Sequence, residues 1–156
     1  MSKILFSLFS VPLMFSSIFT IADLFPYGEM NLISNGEIVE ISDSEKAEIQ
    51  EELLSFLENA YDSPALAVTF PELYTEMIKE GYYLNFKFDS HFEINGLPFD
   101  ELTFKVEEDG YGFNIYRGVD GEFKGRCFYM NCENSSQNLY ETIKNIVEKE
   151  ITTDYN

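Results

Sequence analysis

The chain of 156 residues has no tryptophan, one histidine, two cysteines, and only 10 lysines and arginines against 28 acids. Each shortage excludes something. With a single imidazole, His91, and no nucleophile placed beside it by a recognisable motif, His-dependent acid–base catalysis has no signature in the sequence. His91 reads instead as a surface residue in a hairpin, in the phase that points away from Phe92 and Ile94. Cys127 and Cys132, separated by four residues, are not a zinc pattern without further Cys or His ligands. In one straight strand they would lie on opposite faces roughly 16 Å apart, too far for a disulfide. A bend after Asn131 would close that gap, and export would favour the bond. The acidic turns at 107–110 and 120–122 fit no twelve-residue calcium loop. No metal and no cofactor is therefore expected.

The shortage of basic residues leaves a formal charge of −18. Such a surface repels phosphate backbones and anionic headgroups, which excludes nucleic acid and leaves basic partners and cations as candidates. Residues 29–80 are opposed in sign only by Lys46 and Lys79, whereas 82–131 contain Lys87, Lys105, Arg117, Lys124 and Arg126.

What the chain has in quantity is phenylalanine and tyrosine, 15 and 10 residues, concentrated where apolar and polar residues alternate. Between 82 and 131 that alternation is broken by Gly, Asn and Asp turns, the pattern of a half-buried antiparallel meander. Tyr82, Leu84, Phe86 and Phe88 share one face; Tyr83, Asn85, Lys87 and Asp89 share the other. Phe92 and Ile94 form a shorter run ended by Asn95-Gly96, and Pro98 is expected to keep a strand from resuming at once. Leu102, Phe104 and Val106 lead to Asp109-Gly110, which reverses the chain into Tyr111, Phe113 and Ile115. After Asp120-Gly121 both parities of 123–130 are apolar. A bulge near Gly125 reconciles them, with Phe128 and Met130 inward and Cys127 and Tyr129 outward.

Outside the meander, 1–22 resembles an export signal: an apolar and hydroxylic run behind Lys3, before an acidic remainder, with Thr20 and Ala22 suited to cleavage after Ala22. An uncleaved anchor, a buried helix, and a start at Met30 are the competing readings. Residues 23–36 read as a loop and 37–151 as one domain, opening on a short edge strand over 37–41 with Ile38, and either Val39 or Ile41, inward. Ser42 and Glu45 form a capping box for a helix whose stripe is Ile49, Leu53, Phe56, Leu57 and Ala60. It is expected to end at 59–62, before Ser63-Pro64. Residues 65–70 are a short strand or connector, and 72–80 a second helix stopped by Gly81. A terminal helix, capped by Ser135 or Ser136, presents Leu139, Ile143, Ile146, Val147 and Ile151, with 152–156 frayed.

The fold class is α+β: an antiparallel meander of four to five strands with two or three helices on one face, behind the N-terminal apolar segment. Its other face gathers Tyr83, Lys87, Lys105, Tyr116 and Tyr129 with Asn85, Thr103 and Asn114. Tyrosines among cationic and amide groups are the composition of a recognition surface. The expectation is an exported, non-enzymatic module, secreted or anchored outside the membrane, that binds a protein or envelope partner through this face. An acidic inhibitor of a basic enzyme, acting through its helices and cytoplasmic if translation starts at Met30, is the alternative. A small hydrolase without a recognisable motif is the third. Membrane contact is expected only through the N-terminal segment.

Overall fold

The computed structural model describes residues 21–67 and 76–153. The first 20 residues, and with them most of the export segment, lie outside it, as do 72–75, the first part of the second expected helix, and the last three residues. A 3-10 helix, Ile21–Tyr27, precedes strands β1 (Glu29–Ser34) and β2 (Glu37–Val39), helix α1 (Asp43–Phe56) and strand β3 (Tyr61–Ala67). Then come β4 (Tyr82–Ile94), β5 (Leu97–Val106), β6 (Gly112–Val119), β7 (Glu122–Phe123), β8 (Arg126–Asn131) and helix α2 (Gln137–Thr153). All strand pairs are antiparallel, in the order β2-β1-β4-β5-β6-β8-β3, with β7 on β6. The fold is α+β, as the alternation implied, but among the described residues the sheet has eight strands, not four to five.

The extra strands have identifiable causes. Residues 23–36, expected as a loop, hold the 3-10 helix and β1. Asn35 and Gly36 both have positive φ, 50° and 85°, and form the tight turn of a β1–β2 hairpin. An Asn-Gly pair between Ile33 and Ile38 was the available signal. Pro98 does not interrupt β5, because it pairs with Glu93 beyond the reach of the β6 ladder. The N–H that proline lacks would point away from β4, and its carbonyl on that side accepts from Arg117 Nη1 at 2.7 Å. Near Gly125 the β6 partners change from β7 to β8 with a two-residue offset, so the expected bulge is a break between two strands.

The inner face is a phenylalanine layer. Phe104 meets Phe86, Phe113 and Phe25 of the 3-10 helix, and Phe25 also meets Phe86, with ring centroids 4.4–6.2 Å apart. Helix residues Ile49, Leu53, Phe56, Leu139, Ile143 and Ile146 close over it, all buried. The capping box holds: Glu45 N–H donates to Ser42 Oγ at 3.3 Å and Ser42 N–H to Glu45 Oε2 at 2.8 Å. Helix α1 stops at Phe56, earlier than the Pro64 signal implied, and Leu57 N–H caps back to Leu53 O. Ser135, not Ser136, accepts from the first amide of α2, that of Gln137. Ser136 is buried and ties Gly110 N–H and Glu107 O instead.

Asp62 is an acid on the core side of β3, opposite Met130. Its carboxylate accepts from the Ile21 N–H, but Oδ1 has no hydrogen-bond partner among the described residues. Burial raises its pKa, outweighing the lowering by the Ile21 N–H, and Asp23 adds to the rise. A folded pKa above the unfolded one gives stability that is present below the ordinary carboxylate range and lost as pH rises through the folded value. Asp62→Asn is therefore expected to stabilise the protein at neutral pH by on the order of 1 kcal/mol, and to change little near pH 3. Urea unfolding at both pH values checks it.

Candidate functional site

Strands β3 and β4 are separated in the sheet by β8, β6 and β5, so four successive antiparallel pairings leave them running in the same direction. A connection between parallel strands must cross a face of the sheet. The helices occupy the inner face, and the described end of the β3–β4 connection stands on the outer one: Tyr83 Oη donates to Met77 O at 2.8 Å. Part of the outer face is therefore covered, while Lys87 and Asn114 on it stay exposed. Tyr83, Asn85 and Thr103 are all buried on it.

Asn85 is satisfied in place, its Nδ2 donating to Glu101 Oε1 at 2.7 Å and Thr103 Oγ1 at 2.8 Å. Its Oδ1 accepts from Asn31 Nδ2 at 3.4 Å. Asn31, Asn85, Thr103 and Tyr116 form one cross-strand row. Ile33, Tyr83 and Lys105 form the next, which Asn114 opposite Tyr129 continues. Between this floor and the end of the connection lies a cleft of about 500 Å³. Tyr83, Lys105, Asn114, Tyr116 and Tyr129 line it, with Met77, Glu80 and Glu107 at its rim.

Two glycines shape the cleft. A Cβ on Gly112 would stand 2.6 Å from Tyr129 Oη and 2.7 Å from Met130 O; only hydrogen there lets the Tyr129 ring lie across the start of β6. Gly81 has φ +92°, and a Cβ on it would meet Lys105 Cε at 2.9 Å. The Lys105 stem therefore rests on bare backbone, and its Nζ pairs with Glu107 at 3.3 Å. Burial, with Cys127 nearby, raises the Tyr116 pKa, so this hydroxyl keeps its proton and can donate.

Four of the five residues expected on a recognition surface thus meet in one cleft. Tyr83 does so as a buried floor residue whose hydroxyl tethers the connection, which corrects its expected place on a solvated face. Lys87 does not join them: it lies in the row of Glu29, Glu101 and Gly118 and is exposed away from the cleft. Glu107 shares the phase of Thr103 and Lys105, but Glu80 and the Met77 carbonyl were not legible in the sequence, because nothing in local spacing says where a crossover ends.

Cys127 and Cys132 are both buried thiols and form no disulfide with each other. Cys132 belongs to the inner core with Phe128 and Met130, whereas Cys127 has the opposite phase on β8, and the bend after Asn131 does not bring them together. Burial pushes the Cys132 thiol up to about 12, so it stays protonated and unreactive. His91 is exposed as expected. Its Nε2 lies 2.9 Å from Asp120 Oδ1 and 3.4 Å from Asp100 Oδ2. Asp100 also accepts the Asp120 N–H.

No protein-family model, curated protein or solved structure matches this chain. The functional reading therefore rests on the chemistry of the cleft. Its lining offers aromatic contact area, hydroxyl and amide hydrogen bonds, and one lysine held by one glutamate.

Proposed function

We propose that this protein is an exported, non-enzymatic binding module that receives a protein partner in the outer-face cleft. The observation that carries the reading is the convergence of Tyr83, Lys105, Tyr116 and Tyr129, from four different strands, around one cavity backed by Gly81 and Gly112. Tyrosine supplies contact area and a hydrogen bond with few rotatable bonds to freeze, which suits a pocket for a partner's anchoring side chain.

A second reading, the acidic inhibitor, draws on a different surface. Glu48 and Glu51 are exposed on α1 and Glu58 just beyond its end, and Leu54 among them is 53% exposed, an apolar spot inside an acidic field. The two readings separate by mutation. A partner isolated from native envelope or extracellular fractions is titrated against purified variants whose melting curves match that of the wild type. The cleft reading expects Tyr129→Ala and Lys105→Glu each to weaken binding by about tenfold or more, with Glu48→Lys and Glu51→Lys near wild type. The reverse pattern, with strong salt dependence, would replace it by the inhibitor reading.

A further inference from the structure

The β2 edge of the sheet presents a second surface, remote in chemistry from the tyrosine cleft. Asn35 and Gly36 make a two-residue turn, so Ser34 and Glu37 form the closing hydrogen-bonded pair and Ile38 sits opposite Ile33 in the next, non-bonded position. In that position Ile38 turns its own N–H and C=O away from β1, toward the open edge. Its side chain is 68% exposed, which overturns the expectation that it points inward, whereas Val39 and Ile41, the other inward candidates of this strand, do pack against the core. The hairpin is held by its tip, since Asn35 N–H donates to Gly81 O at 3.1 Å and Gly81 N–H to Asn35 Oδ1 at 3.2 Å.

Beside this edge runs a groove of about 400 Å³ between β2 and the C-terminal part of α2. Its apolar floor is Val39, Val147 and Ile151, and Ile151, expected in the buried stripe of the helix, is 56% exposed there. Glu37, Glu40 and Glu150 rim it, and among the described residues no cationic side chain lines it.

The geometry points to the β2 edge as a docking site for an extended segment of a basic partner, added to the sheet as a further antiparallel or parallel strand. Backbone pairing comes from Ile38. The period of a strand then dictates the sequence of the guest. Side chains on the groove side need an aliphatic stem to lie on Val147 and Ile151 and a positive head for the three carboxylates, which describes lysine or arginine. Side chains of the other parity meet Ile38 and are apolar. A second copy of this chain fits poorly, because a two-fold axis on β2 would bring the same glutamates together on a molecule already at −18.

The test uses the full chain, labelled for amide and methyl resonances, and the capped peptide Lys-Val-Lys-Val-Lys-Val-Lys. Expected are shifts centred on residues 37–40 and the Ile151 methyls. A loss of affinity of about tenfold or more is expected when alternate peptide amides are N-methylated or when Glu37, Glu40 and Glu150 are changed to Lys. Equal binding of the N-methylated peptide, or shifts centred on the acids of α1, would mean unspecific charge attraction and overturn the proposal. So would concentration-dependent shifts at Ile38 without peptide, which would assign the edge to a second copy. Because the Glu→Lys changes are at surface positions, unchanged melting curves separate lost binding from lost folding.

Discussion

A chain that starts at Met30 is expected to be unfolded, whereas one that starts at Asp23 is expected to fold with reduced stability. The difference lies in the 3-10 helix ahead of β1. Ile21, Leu24 and Phe25 are almost completely buried, and Phe25 fills the angle between Phe86 and Phe104 with ring centroids 4.7 and 5.4 Å away. Burying each such side chain stabilises by roughly 1.5–3 kcal/mol. Losing all three therefore removes an amount comparable with the ~5–15 kcal/mol that holds an ordinary domain together, and leaves two phenylalanine faces open to water. Cleavage after Ala22 removes Ile21 alone and, with it, the N–H that Asp62 accepts; Leu24 and Phe25 stay. Circular dichroism and urea unfolding of the two truncated chains decide the matter. A cooperative transition for the Met30 chain would revive the internal start and, with it, the cytoplasmic inhibitor reading.

The second large effect is expected at Gly112, where replacement by alanine adds one methyl group and removes no contact. That methyl would sit within 3 Å of both Tyr129 Oη and the Met130 carbonyl. The ring could swing away, but the carbonyl is part of the β6–β8 pairing, where Gly112 faces Asn131. Relief must come from separating the strands or tilting β6, at a cost of about 1–3 kcal/mol, and Tyr129 must leave the cleft floor. Gly112→Ala is thus expected to lower the melting temperature by several degrees and to abolish partner binding in the cleft, while leaving peptide shifts at Ile38 in place. Unfolding curves and the two binding measurements, made on one preparation, test both halves. Wild-type affinity in the cleft would show that Tyr129 does not need its seat on Gly112, and would move the binding site elsewhere.

Local rules carried the meander a long way. Alternation assigned Phe86, Phe88, Phe104 and Phe113 to the correct face, and Phe128 and Met130 to the core even where both parities were apolar, but not Phe99, which the register shift between β4 and β5 turns inward with the opposite parity. The Ser42/Glu45 pair located the start of α1. These features depend on neighbours within a few residues, and strand period, capping chemistry and turn residues act at that range. The Asn35-Gly36 hairpin is equally local, but its strands are short, six and three residues, and carry little alternation. What no local pattern contained was the path of the β3–β4 connection. Its described end, tied to Tyr83 through the Met77 carbonyl, closes a cleft beside Lys105 and Tyr129 on a face that has the composition of a solvated sheet. The same holds for Ile38 and Ile151, whose periodicity is that of core residues but whose strand and helix meet at an open edge. Periodicity says which side chains share a face. Whether that face is covered depends on contacts between residues far apart in the chain, and only the tertiary arrangement of the crossover, the edge and the helix end decided it.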